Sequence, residues 1–221
     1  MSFVVAIDGP AGAGKGTITK KVGEKLALIN IDTGAMFRCV ALKMLQEGIA
    51  LEENNKIEEC LNHMKIDLKE NGEIFLNEEE VSQKIREEEV TNFVSPISTL
   101  PMVREKLLKW QRKVAEGKRV IMEGRDIGTV VFPNADVKIY LDASAEERAI
   151  RRQKQNEEKG IKSSYEEVLQ NIVDRDKRDM SRSIAPLKKA EDAIYIDSSD
   201  MTIEEVVNRV IEIVKRKKEK E

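Results

Sequence analysis

Near its start the chain reads Asp8-Gly9-Pro10-Ala11-Gly12-Ala13-Gly14-Lys15-Gly16-Thr17. The spacing Gly9-x4-Gly14-Lys15 is that of a phosphate-binding loop. Glycine lets the backbone approach a bulky anion without a Cβ in the way. The loop N–H groups can then all point inward, and the positive end of a following helix faces the same spot. Lys15 adds a point charge for the outer phosphates. Gly9, Pro10, Ala11, Gly12, Ala13, Gly14, Lys15, Gly16 and Thr17 are therefore the candidate nucleoside triphosphate site. Many such loops place a serine or threonine directly after the lysine to hold Mg²⁺. Here Gly16 stands there and Thr17 follows one place later. Mg²⁺ is expected to enter mainly through the phosphates and water, with Thr17 the one candidate side-chain ligand.

A second group of chemical residues is cationic. At 100° per residue, the apolar stripe Tyr165–Val168–Ile172 continues into Arg175, Asp179 and Arg182, so one helix face changes from apolar to charged. A charge aimed inward is costly unless it meets a partner. Asp174, Asp176 and Asp179 can supply part of the balance, yet residues 148–189 hold twelve basic and seven acidic side chains. An anionic ligand would supply the remainder; a solvated helix end is the plainer alternative. Arg38 and Arg125 add cations near strand ends. Such a site, with no histidine or serine–histidine pair, suits phosphoryl transfer, which needs alignment and charge neutralisation more than proton shuttling. If the acceptor is itself a phosphate, its oxygen is already ionised and no general base is required.

The elements that must position these groups alternate. Apolar runs at 3–7, 28–31, 119–122, 137–141 and 194–196 read as buried strands. Between them lie helical stripes: Ile18, Val22 and Leu26; Met36, Phe37, Val40, Ala41, Met44 and Leu45; and Val103, Leu107, Leu108 and Val114 after Pro101. Further on, Ser144-x-x-Glu147, Ser164-x-x-Glu167 and Thr202-x-x-Glu205 are capping boxes. The last of these opens a helix packing through Ile203, Val206, Val207, Val210, Ile211 and Val214. The helix after Ser144 is nearly polar all round and is expected to project into solvent or over a ligand. Residues 50–98 differ: thirteen acidic against five basic residues lie between Glu52 and Thr91. Within them Ile66-x-Leu68 and Ile74-x-Leu76 flank Glu70-Asn71-Gly72-Glu73, a two-strand hairpin signal. Strands alternating with helices imply an α/β fold, a parallel sheet covered on both faces with its ligand at the carboxyl ends of the strands.

Composition closes off other classes. The chain's 221 residues suffice for one sizeable core with an insertion. A net charge of −3 argues against a nucleic-acid binder. With His63 the single histidine, histidine metal clusters and relays are excluded. No apolar run reaches the ~18 residues of a membrane span. Cys39 and Cys60 lack metal-ligand spacing, and no leader pattern is read, so a reducing, cytoplasmic setting is expected.

These residues together resemble the nucleoside monophosphate kinases, and within them the bacterial cytidylate kinases. The resemblance runs nearly end to end. It rests on residues 8–17, on Asp32-Thr-Gly-Ala-Met-Phe-Arg38, on Gly124-Arg-Asp-Ile-Gly-Thr-Val-Val131, and on Arg175-Asp-x-Arg-Asp-x-x-Arg182 with Ala185-Pro186-Leu187. It implies a P-loop fold with a five-stranded parallel sheet, and transfer of the γ-phosphoryl of ATP, with Mg²⁺, to CMP or dCMP in pyrimidine nucleotide metabolism. It also implies a core of 1–49, 99–150 and 183–221, a monophosphate-binding insertion at 50–98, and a lid with an arginine-bearing helix at 151–182. Carried over by position, Lys15 and the loop hold ATP. Arg38, Arg125 and Arg182 grip the acceptor phosphate. Ser95, Arg104 and Asp126 read cytosine, Arg175 and Asp179 lie near the sugar, and Arg151 and Arg152 close over the transferring group. Thr33 stands where relatives often have serine and keeps the hydroxyl. Cytosine's exocyclic amine is a donor suited to Asp126, and its O2 and N3 accept from Arg104 and Ser95. Pro96 restricts the backbone at Ser95.

The alternatives are a sister kinase acting on UMP or AMP, a GTP-hydrolysing switch, and a nucleotide-sensing scaffold. The switch would carry an Asn-Lys-x-Asp guanine reader, absent here. The scaffold would not need so many inward arginines. A monomer that closes over its substrates is expected.

Overall fold

Alternate residues of the opening apolar run go to opposite faces: Val5 and Ile7 join one core, Val4 and Ala6 another. This run is the central strand of the computed structural model, which describes residues 2–69, 72–158 and 160–218. Five strands form a sheet: β1 (Phe3–Asp8), β2 (Ile29–Asp32), β6 (Arg119–Gly124), β7 (Val137–Asp142) and β8 (Ile194–Asp197). Their order is β2-β6-β1-β7-β8, every pairing parallel. The register sets Asp8 beside Gly124 and Tyr140, and Asp32 beside Glu123, so the carboxyl ends form one edge.

On one face α1 (Lys15–Leu26) and α8 (Ile203–Lys218) bring Ile18, Val22, Val206, Val207, Val210 and Val214 against β1, β6 and β7. On the other, α5 (Pro101–Ala115) and a π-helical turn (Ile127–Val131) cover Val4, Ala6, Val120 and Met122. The apolar stripes thus meet the sheet as their spacing requires, with two differences. Ile203 lies outside the packed stripe, 53% exposed, and on the edge strand Ile194 and Tyr195 are 43% and 52% exposed. Among the described residues no further strand pairs with that edge.

The acidic stretch folds as an α+β piece. It holds α3 (Asn54–His63), β3 (Ile66–Leu68), β4 (Ile74–Leu76), β5 (Glu79–Glu80), a 3₁₀ turn (Lys84–Arg86) and α4 (Glu88–Ile97). β3 and β4 pair antiparallel as the hairpin pattern predicts, and β5 adds a third strand that two glutamates do not advertise. Of the hairpin turn, Glu70 and Asn71 lie outside the described residues, as do Lys159 of the lid and 219–221 of the charged tail. The apolar residues of this piece are not a separate core. Ile57, Leu61, Ile74, Leu76, Ile85, Val90 and Ile97 share one cluster with Met36, Val40 and Met44 of α2 (Thr33–Glu47) and with Val103 and Leu107 of α5.

The pair of helices before β8 corrects an expectation. α6 (Ala145–Glu158) does not project: Ala149 packs on Val168 and Ile172 of α7 (Tyr165–Met180), and Arg148 is buried beside them. A helix this polar packs because an arginine with a carboxylate partner takes the place of an apolar residue. The Ser164–Glu167 capping box is complete. α7 ends at Met180, two residues before the end of the charged stripe, so Arg182 lies in the segment that follows the helix.

Candidate active site

At the end of β1 the chain turns at Gly9, where a Cβ would lie 1.9 Å from the Leu141 carbonyl oxygen; only glycine passes there. The loop closes at Gly14, left-handed at φ 84°, which begins α1 without any side-chain cap. The first-turn N–H groups of α1 thus keep no side-chain acceptor, the condition for an anion site. Lys15 is buried at the loop's centre, its Nζ donating to the carbonyls of Gly9 at 2.8 Å and Pro10 at 2.7 Å. Burial, reinforced by the positive charge of Arg125, pushes this ammonium down to about 7. Glu123 and Asp8 pull the other way.

Glu123, at the end of β6, is buried beside the loop: a Cβ on Gly16 would come within 3.0 Å of its Oε1. Burial and the neighbouring Asp32 push its carboxyl up to about 7. Thr19 donates to the same oxygen at 3.4 Å. Thr17 is exposed on the first turn of α1. Among the described residues no group of three or more His, Cys, Asp or Glu could hold a metal ion by itself. Glu123 and Thr17 are oxygen-bearing side chains beside the loop, so the donor set there fits a cation that arrives with phosphates.

Across the edge lie the arginines. Asp179, 2% exposed, accepts from Arg125 Nε at 2.9 Å and from Arg182 Nη2. Burial alone would raise Asp179, but those two arginines hold it below the usual carboxylate range. Arg38, one turn into α2, donates to Asp32 at 2.7 Å, and Asp32 caps that helix through Ala35 N–H at 2.9 Å. Arg175 is different. Among the described residues it has no hydrogen-bond or ion-pair partner, and burial followed by the charge of Arg125 lowers it to about 10. Asp179 opposes this, Arg38 and Arg182 press in the same sense as Arg125, and the positive charge of Arg175 reaches Lys15. A half-buried guanidinium held among like charges is a site for an anion.

Arg104 and Asp126 form an ion pair at 2.5 Å, each side chain 10% exposed. Arg104 also donates to the Ser98 carbonyl at 3.0 Å and lies 5.6 Å over the Phe37 ring. Ser95 is in the last turn of α4, despite Pro96 after it, and its carbonyl accepts from Ser98 Oγ at 2.8 Å. The backbone restriction read from Pro96 is overridden because that turn packs Val94 and Ile97 into the core. Thr33 is buried, its hydroxyl donating to the Glu123 carbonyl at 2.6 Å, which ties the start of α2 to the end of β6.

Two expected residues stand elsewhere. Arg151 donates to the carbonyl of Ser198 at 2.6 Å and to its hydroxyl at 3.3 Å, against the loop after β8 rather than over the phosphate loop. Arg152 is exposed. Sequence reasoning missed Arg148, whose Nη1 donates to the Ala11 carbonyl at 3.0 Å and pairs with Asp176 at 2.7 Å. It also missed the roles of Asp8, quoted only as the start of the phosphate-loop motif, and of Glu123 at the end of β6. Acidic residues at the ends of buried strands were the available signal.

A parallel sheet with a glycine loop and lysine at one strand end and a cluster of arginines facing it defines a kinase of the phosphate-loop type. The chain belongs to the cytidylate kinase family, whose model matches residues 5–216. It is 50% identical to the cytidylate kinase of Caldanaerobacter subterraneus subsp. tengcongensis over 98% of this chain and 96% of that one. With the cytidylate kinase of Caldicellulosiruptor bescii it shares 50% over 95% and 94%, and with that of an Exiguobacterium species 47% over 97% and 98%. In fold it is similar to a gluconokinase from Sinorhizobium meliloti, with a TM-score of 0.52, 11% identity, and coverage of 97% of this chain and 93% of that one. A Thermus thermophilus protein, TT1252, gives a TM-score of 0.50 at 14% identity, covering 97% of each chain. No helix among the described residues is long and apolar enough to cross a membrane.

Proposed function

We propose that the chain transfers the γ-phosphoryl group of ATP to CMP or dCMP, giving ADP and CDP or dCDP, in pyrimidine nucleotide metabolism. The observation that carries this reading is Arg175, which among the described residues has no hydrogen-bond or ion-pair partner, feels more cations (Arg38, Arg125 and Arg182) than its one attracting carboxylate, Asp179, and lies within electrostatic reach of Lys15. An anion placed there faces the phosphate loop across the sheet edge. The donor triphosphate is read to lie in the loop of residues 9–17, against the open N–H groups of α1. Mg²⁺, when bound with the phosphates beside Glu123 and Thr17, neutralises their charge. The acceptor phosphate meets Arg38, Arg125, Arg175 and Arg182, and its ionised oxygen attacks the γ-phosphorus in line. No residue needs to remove a proton. Lys15 and the arginines hold the equatorial oxygens as charge spreads over them, and such a contact is worth about 3 kcal/mol in the transition state.

Cytosine is read by the Asp126 carboxylate, which accepts from its amine, and by Arg104 and Ser95, with Phe37 as an apolar wall. Asp179 and Arg175 border the sugar. The insertion at 50–98 carries Ser95 to the base, and 151–182 serves as lid, Arg151 and Arg152 turning from their present places toward the loop. The chain is read as a monomer acting in the cytoplasm. Phosphorus NMR of ATP and CMP with the protein tests the reaction: equal rates of ADP and CDP appearance are expected. ADP and inorganic phosphate without CDP would contradict it.

A further inference from the structure

The π-helical turn Ile127–Val131 follows directly on Asp126, so Asp126 occupies the position before the turn's first N–H. Aspartate there ordinarily folds its carboxylate back onto those N–H groups. Here it makes no such bond, and the carboxylate points instead to Arg104. The orphan donors are satisfied from another strand. Asp8, at the end of β1, accepts from Ile127 N–H through Oδ1 at 2.8 Å and from Gly128 N–H through Oδ2 at 2.7 Å. Both carboxylate oxygens are used, and the side chain is 5% exposed. Gly128 leaves just enough room: a Cβ there would lie 3.2 Å from Lys138 Cδ and 3.4 Å from Asp8 Oδ2. Asp8 is also the residue from which the phosphate loop departs at Gly9.

Resting on the proposed reading of Asp126 as the base reader, we propose that Asp8 is a positioning residue that caps the Ile127 turn by proxy. It thereby frees the Asp126 carboxylate to face the acceptor base, and it fixes that carboxylate to the strand that begins the phosphate loop. Without this acceptor, Asp126 turns back to cap its own turn and leaves Arg104. Asp8 touches neither substrate; its effect passes through Asp126.

A double-mutant cycle on the full chain tests this, with ADP release followed at varied CMP and varied ATP for wild type, Asp8→Asn, Asp126→Ala and the double variant. Asp8→Asn replaces one acceptor oxygen by a donor. It is expected to raise KM for CMP by about tenfold or more, as loss of a hydrogen bond to a charged group does. KM for ATP should stay within about twofold, the size of ordinary surface effects. In the Asp126→Ala background the same change should add little, because the carboxylate it positions is gone. Effects that multiply, or a rise in KM for ATP matching that for CMP, would overturn the inference. Wild-type protein with no CMP-dependent release would instead overturn the reading on which it rests. Should Asp8→Asn fail to fold, Gly128→Ala crowds the same clamp from the other side and must give the same non-additive pattern.

Discussion

Arg148 is a buried and Arg175 a half-buried guanidinium group near the sheet edge, yet removing them should have opposite consequences. Arg148 is paired with Asp176 and holds the Ala11 carbonyl, so Arg148→Met strands a carboxylate, one of whose oxygens already lacks a partner. A loss of ~3 kcal/mol is expected in denaturant unfolding, the usual cost of breaking a buried pair. Arg175 has no hydrogen-bonded carboxylate to strand among the described residues, and Asp179 keeps Arg125 and Arg182, so Arg175→Met should leave the unfolding midpoint unchanged or raise it. Its cost falls on activity instead, about a hundredfold in kcat/KM for CMP. A variant with lost stability and normal activity would contradict the assignment of Arg175 to an anion. Asp8 gives a pH prediction. Burial, despite the N–H groups of Ile127 and Gly128, pushes its carboxyl up to about 6 from 3.8, with Asp126 adding to the rise and Lys15 opposing it. A carboxyl that binds its proton more tightly folded than unfolded stabilises the fold at low pH. That contribution is lost as pH rises from about 4 through 6. Asp8→Asn should therefore flatten this part of the thermal-unfolding profile, and a profile identical to wild type would count against it.

At the level of elements, what was legible in the sequence is what repeats or punctuates. Alternating strands and helices placed all five strands, because a strand buried on both faces is written as a continuous apolar run. Gly9 and Gly14 marked the loop because no other residue fits their backbone. The capping box at Ser164 was read directly from its spacing; Ser164→Ala should cost about 1 kcal/mol of unfolding free energy. The docking of α6 on α7 was not legible, since its contact is an arginine and an alanine rather than an apolar stripe. Nor was the end of α7 at Met180: Leu187 N–H donates to the Asp179 carbonyl at 2.8 Å, a tertiary bond that periodicity does not carry. β5 escaped for a similar reason, being two exposed glutamates that pair only because Phe75 and Leu76 are already in place. Among site residues, those with charge to spare were visible. One that acts by satisfying another segment's backbone, as Asp8 does, was not.

At the scale of the whole molecule, one apolar cluster runs from α2 through the acidic piece to α5, while α6 and α7 pack on a small cluster of their own. Closure of these two regions over both substrates, as proposed, would exclude water that otherwise hydrolyses ATP. Small-angle scattering should show a smaller radius of gyration with a bisubstrate analogue than without it; superimposable profiles would remove closure from the account. The central claim is transfer to a cytidine monophosphate read by Asp126. It is tested most directly by ADP release from ATP and Mg²⁺ with CMP, dCMP, UMP, AMP and GMP supplied separately to wild type and Asp126→Ala. Strong turnover with CMP and dCMP in wild type, with that preference over the other monophosphates lost in the variant, is the predicted result. Preference for another monophosphate, or selectivity unchanged in Asp126→Ala, would contradict it.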